Sequence, residues 1–430
     1  MTLKPVPRPD QKVGLLALKE ILRQRSIIGA MEVLHREMGN AFRLNVPGFD
    51  PVVLVGPDAS RFVLVTNKDD LRWRMERDPI TLLLGHGLLV EDEMHDRLRQ
   101  IMNPALHKNM LVNYVETMRR CTDQITQNWA EDTPINMLVE MRKIALLILT
   151  ETLFGADFSP ELQRLWPGVL SMVRFISPGA WVLWRGFARF GYDRHLRQID
   201  AYLYHLIAER RRNPSGTDDM LSLLIHAGLH DDLIRDQLMT MLVAGHDTVT
   251  ASLTWALYLL GAHPGALHLA QQESRAVLGK DAPMFAHLGQ LHYLDQAIHE
   301  TLRLYPPAHL GSRVAAVDLT YDGYHIPAGT RVLYSIYLTQ RDPAYWPNPT
   351  RFDPSRFDKA SKQYTAFTYL PFGGGERFCI GATFAQVEMK IVLSRILQQF
   401  DLQLILKEFH LHMGATLEPR PGVMMTTKRV

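Results

Sequence analysis

Apolar residues recur at helical spacing from Leu15 to Met38, a run that closes on Gly39-Asn40, a pair suited to a helix C-cap. The period then drops to two. Ala41 to Val46 and Val52 to Val55 predict short strands, parted by Pro47-Gly48-Phe49-Asp50-Pro51. From about Asp58 to Val277 the pattern is mostly helical, interrupted at Gly85-His86-Gly87, Ser177-Pro178-Gly179, Asn213-Pro214-Ser215-Gly216 and His263-Pro264-Gly265. Further on, short β-type runs such as Val332 to Leu338 alternate with Pro, Asp and Gly, and one more long helix, Gly381 to Phe400, follows. The densest apolar stretch, Ile144 to Leu149, lies between Arg142-Lys143 and Thr150-Glu151 and is far too short to span a bilayer. It predicts a buried core helix. Neither a repeat nor a low-complexity linker divides the 430 residues. The expectation is one unit over residues 1–430, mainly α with a small β-rich portion.

Composition adds exclusions. A formal charge of +2 gives no electrostatic case for nucleic acid. Two cysteines, Cys121 and Cys379, cannot build a disulfide framework and fit a reducing cytosol, so a cytoplasmic location is expected. The opening Met1-Thr2-Leu3-Lys4-Pro5-Val6-Pro7-Arg8-Pro9 has no charged region followed by an apolar run, so neither a signal peptide nor a membrane anchor is expected there.

The strongest chemical signal is Pro371-Phe372-Gly373-Gly374-Gly375-Glu376-Arg377-Phe378-Cys379-Ile380-Gly381. A single cysteine follows a glycine-rich loop and opens a helix, where N–H groups stabilise a thiolate. Glycines let backbone approach the sulfur and a flat cofactor. Phe378 and Ile380 would keep water away. A lone cysteine is more often an inert core residue, and a redox thiol would want a partner cysteine nearby, which is lacking. Spacing decides between these readings. F-x-x-G-x-x-x-C-x-G resembles the haem-ligand signature of the cytochrome P-450 monooxygenases, and chance would produce it in roughly a few per ten thousand such sequences.

The resemblance implies a cytochrome P-450 fold with haem b (iron protoporphyrin IX) sandwiched between an Asp247-Thr248 helix and the Cys379 loop and helix. Cys379 would be the metal ligand, with Phe372, Gly373, Arg377 and Gly381 around the cofactor. A thiolate ligand favours O–O cleavage, which points to oxygen activation.

The apolar segment Asp232 to Leu260 carries Ala244-Gly245-His246-Asp247-Thr248. Gly costs about 1 kcal/mol relative to Ala in a helix interior, and a buried Asp needs a partner. Taken alone, this could be a polar turn facing solvent, with Thr248 bonding back to the Ala244 carbonyl and bending the helix. The family places a small-Gly-x-acid-Thr motif above the haem. By resemblance Ala244 and Gly245 line the oxygen side, and Asp247 and Thr248 relay protons as general acids. His246 reads as structural.

Glu300-Thr301-Leu302-Arg303, stopped by Tyr305-Pro306-Pro307, resembles the family's second signature, and Phe352-Asp353-Pro354-Ser355-Arg356-Phe357 resembles the segment that completes it. The resemblance implies a buried Glu300–Arg303–Arg356 triad bracing the cysteine loop, without a chemical role. Ser355 departs from the Glu that many relatives carry. Haem propionates need cations, and by resemblance Arg377, Arg313, His95 and Arg99 supply them. Many relatives carry Trp in place of His95. Each could equally be a solvated surface charge if read alone.

Pocket positions implied by the resemblance, Thr81 to Val90, Ala308 to Gly311 and Ala415-Thr416-Leu417, are almost wholly apolar and suit a lipophilic substrate. The segment Phe175 to Tyr192, with Trp181, Trp184, Phe187, Phe190, Arg185 and Arg189, reads either as helix packing or as a greasy, basic-rimmed mouth for fatty acids, terpenoids or carotenoids that touches a membrane surface. No flavin or nicotinamide fingerprint occurs. The resemblance therefore implies a monomer fed by a separate ferredoxin or flavodoxin with its reductase, docking near Arg97, Lys108 and Lys390, with O₂ as co-substrate. A peroxygenase using H₂O₂ and a non-catalytic haem-thiolate sensor are the alternatives. The presence of Asp247 and Thr248 weighs against the first, and the lack of an output module against the second. An isomerase or dehydratase on the same haem is also open.

Overall fold

The computed structural model describes residues 3–44, 49–75, 78–177, 192–360, 364–405 and 408–430. It is mainly helical, as the periodicity predicts, with strands gathered in small sheets. The expected Leu15–Met38 run is two helices, Gln11–Gln24 and Ile27–Met38. Arg25 adopts a left-handed φ of 52°, and the Ser26 hydroxyl caps the second helix on Ile28 N. Hydrophobic period alone does not see this break, because both helices bury faces against one apolar patch. Gly39 ends the second helix at φ 85°, as expected.

The largest sheet has five strands in the order Ala41–Arg43, Val52–Val55, Arg331–Ser335, Leu310–Ala315, Leu71–Arg72. Val52–Val55 and Arg331–Ser335 run parallel, with Val53 opposite Leu333. Elsewhere Ile135–Asn136 pairs with Met424–Met425. Strands from opposite ends of the chain thus share sheets. The Val332–Leu338 run is strand only to Ser335; Ile336–Thr339 turns helical, with the Ser335 hydroxyl accepting from Leu338 N. Within the expected pocket stretch Thr81 to Val90, residues up to Leu84 belong to a short helix that Pro79 starts.

The helix Met137–Leu153 crosses the core, with Ile144 to Leu149 only 0–2% exposed. It packs on Asp247–Ala262, which continues Asp231–Met241 through a π-helical turn, Leu242–His246. No helix among the described residues is long and apolar enough to cross a membrane.

Candidate functional site

The cysteine loop is shaped by close backbone approach. Gly373 and Gly375 have φ of 71° and 67°, and a Cβ on Gly375 would fall on the Leu64 carbonyl oxygen. The Cys379 N–H donates to Phe372 O at 3.0 Å, and Gly381 caps the helix Ala382–Gln399. Cys379 is exposed, yet surrounding protein raises the pKa of its thiol by desolvation, partly offset by the Gly381 N–H. Beside it Phe378 is 44% exposed and Phe372 and Ile380 are half-buried, so this apolar wall has no protein cover of its own.

The helix expected on the oxygen side is bared along one face. From Met241 to Leu257 every residue is buried except Ala244, Gly245 and Thr248, which share one face. The π turn directly before Asp247 re-aims that face, and the Thr248 hydroxyl donates to Ala244 O at 2.8 Å, so the back-bonding expected for a bent helix is present. Asp247 does not point to solvent. Its carboxylate accepts from Arg142 at 2.8 Å and from the Thr416 hydroxyl at 2.7 Å. Arg142 also pairs with Glu418, which accepts from Arg420 at 3.1 Å. Burial, and then the Asp247 charge, raise the pKa of Glu418. His246 is fully buried; its Nδ1 bonds Leu242 O, and burial holds the ring neutral by lowering its pKa. Arg142, Thr416 and Glu418 were not singled out as part of this network by sequence reasoning. The only signal was that a buried Asp must have a partner.

Two of the expected anion clamps, Arg313 and Arg377, converge near Trp73. Arg313 is 3% exposed, its guanidinium lies 3.1 Å from the Trp73 ring centroid, and that of Arg377 lies 5.4 Å away. Arg377 donates to Glu91 O at 2.6 Å and reaches Asp92 at 3.3 Å. Among the described residues no carboxylate pairs with Arg313, and burial pulls its pKa down to about 10. A buried cation without an anion is costly. The site is therefore suited to an anionic group that the chain itself does not provide. His95 is buried, bonds Asp96 through Nδ1 at 2.8 Å and is held below its usual pKa by desolvation. Arg99 donates to Phe378 O at 2.8 Å, tying its helix to the cysteine loop.

Glu300 and Arg303 are wholly buried and doubly bonded, at 2.6 and 2.7 Å, and Arg356 approaches Glu300 at 3.4 Å. Arg303 further donates to Gln340 O and Pro349 O, at 2.9 and 2.8 Å. Gln340 in turn accepts from Leu370 N at 2.7 Å, immediately before the cysteine loop. The triad is thus a structural brace, as expected. Trp181, Arg185 and the rest of residues 178–191 lie outside the described residues.

The family model for cytochrome P450 matches residues 7–429. The chain belongs to the cytochrome P450 family. It is 33% identical over 361 residues to cyclooctatin synthase of Streptomyces melanosporofaciens, covering 80% of this chain and 77% of that one. It is also 29% identical over 469 residues to cytochrome P450 4d2 of Drosophila melanogaster, at 99% and 93% coverage. The solved structure of retinoic acid-bound cyanobacterial CYP120A1 superposes with a TM-score of 0.87 at 25% identity, covering both chains fully. This P450 is accordingly a monooxygenase whose cofactor is haem b. The residues present fit that group: an open thiol beside uncovered apolar side chains, a small-residue helix face, and a buried Arg313 short of an anion.

Proposed function

We propose that this P450 uses Cys379 as its iron ligand and inserts one oxygen atom of O₂ into a lipophilic small molecule, with fatty acids, terpenoids and carotenoids the favoured classes. The single observation that carries the site assignment is the accessible Cys379 on its glycine-shaped loop, and a helix face bared only at Ala244, Gly245 and Thr248 supports it. Haem, when bound, supplies the iron at which O₂ is reduced. Arg313 and Arg377, with His95 and Arg99 beside them, would hold the propionates. Thr248 Oγ1 would turn from Ala244 O and donate its proton to the oxygen being reduced, then regain one that Asp247 passes on. Arg142 and Thr416 hold the Asp247 carboxylate, so it must release one of them to take part.

The pocket segments implied by the family are apolar, and a relative of the same fold binds retinoic acid, a lipophilic acid. Both support the substrate class. Strands shared between distant parts of the sequence support a single working unit over residues 1–430. Electrons would come from a separate ferredoxin or flavodoxin with its reductase. Of the basic residues expected to dock it, Lys390 pairs with Asp295 at 2.6 Å, which leaves Arg97 and Lys108 as the stronger candidates.

Thr248→Ala tests the relay: peroxide released per electron pair should rise several-fold while substrate binding holds. Unchanged coupling would refute it. Titration with fatty acids, retinoids and carotenoids should displace the iron's water, read as a Soret shift. A response to a polar compound alone would overturn the substrate class.

A further inference from the structure

The helix Gln11–Gln24 lays Val13, Ala17 and Ile21 against an apolar patch that includes Ile28, Leu34 and Phe42. Its other side turns four leucines outward: Leu15, Leu16, Leu18 and Leu22, the last 72% exposed. Leu3 and Ile27, before and after it in the sequence, are exposed as well. Sixteen large hydrophobic side chains are exposed among the described residues, and these six all lie within the first 27 positions. At helical spacing Leu15, Leu18 and Leu22 form one ridge, with Lys12 and Lys19 along its flank. Scattered exposed leucines need no explanation, but a ridge of them does.

Charge says what covers it. Residues 1–27 hold six of the chain's 47 Lys and Arg and two of its 45 Asp and Glu, a net +4. The remainder carries 41 against 43, a net −2. One of the two acids, Glu20, is bonded by Arg23 and Gln24, at 2.9 and 2.7 Å. A second copy of the chain docking through this ridge would bring like charge against like charge. An anionic bilayer accepts both features, since leucines enter the acyl boundary and ammonium groups stay with the headgroups. A helix of 14 residues spans only about 21 Å, so it lies in the interface and does not cross.

We propose that the helix Gln11–Gln24 seats this P450 on an anionic lipid surface, with Leu15, Leu18 and Leu22 inserted and Lys12 and Lys19 at the headgroups. The inference does not depend on the haem or substrate assignments.

Flotation of the haem-loaded full chain with phosphatidylcholine vesicles containing about one-third phosphatidylglycerol tests it, against pure phosphatidylcholine. Binding to the anionic vesicles should be at least ~10-fold tighter and weaken several-fold as salt rises from about 0.1 to about 0.5 M. The triple variant Leu15→Ser/Leu18→Ser/Leu22→Ser should lose ~100-fold in affinity with helicity and haem content unchanged, because its side chains are exposed. Lys12→Gln/Lys19→Gln should erase the preference for phosphatidylglycerol. Absence of binding, or equal binding by the serine variant, would overturn the proposal. So would a concentration-dependent dimer that the serine variant abolishes, which would assign the ridge to a second copy.

Discussion

His309 illustrates how burial sets chemistry one side chain at a time. It is 5% exposed, its Nδ1 bonds Pro307 O at 3.2 Å, and desolvation lowers its pKa to about 4. The unfolded chain binds a proton near the ordinary imidazole pKa and the folded one does not, so stability falls as pH drops below about 6.5. His309 should account for about 2 kcal/mol of the stability lost between pH 7 and 5. Urea unfolding of His309→Gln at both pH values should show a correspondingly smaller loss; an unchanged difference would mean that the imidazole is charged when folded. At this scale the sequence was readable where chemistry is local. Cys379 follows a glycine loop, and Thr248 sits four residues after Ala244. Arg142 and Glu418 were hidden because Arg142 lies 105 positions from Asp247 and 276 from Glu418, and no periodic pattern reports a contact between distant elements.

Elements were legible where one physical preference dominates. Val52–Val55 has the bounds its β-branched run predicts, and Gly381 opens the cysteine helix as expected. They were misread where two preferences meet. The Arg25 break leaves the hydrophobic face continuous, and the π turn at Leu242–His246 shifts the register without altering composition. In the cysteine loop, Gly375→Ala would add a Cβ against the Leu64 carbonyl at a left-handed φ. That position should lose about 1–3 kcal/mol of stability and most of its haem retention. Retention equal to wild type after dialysis against apomyoglobin would show that the loop can relax.

Across the whole molecule, the brace and the cysteine loop form one mechanical system. Glu300 binds Arg303, Arg303 binds the Gln340 carbonyl, and Gln340 holds Leu370 before the cysteine loop. Breaking a buried ion pair leaves a charge unpaired, so Glu300→Gln should destabilise the fold by about 3–5 kcal/mol and reduce haem loading without touching a reacting atom. Denaturation midpoints and the ratio of Soret to protein absorbance would read both effects; loss of turnover with full loading would instead place Glu300 in the chemistry. Cys121 offers no alternative ligand, since it is wholly buried and desolvation pushes its thiol up to about 12. The most direct measurement is the absorption spectrum of the reduced protein under CO, with Cys379→Ala alongside. Wild type should show the strongly red-shifted Soret band of thiolate ligation, and the variant should lack it. A wild-type band at the position typical of a nitrogen ligand, or a red-shifted band that survives in Cys379→Ala, would contradict iron ligation by Cys379.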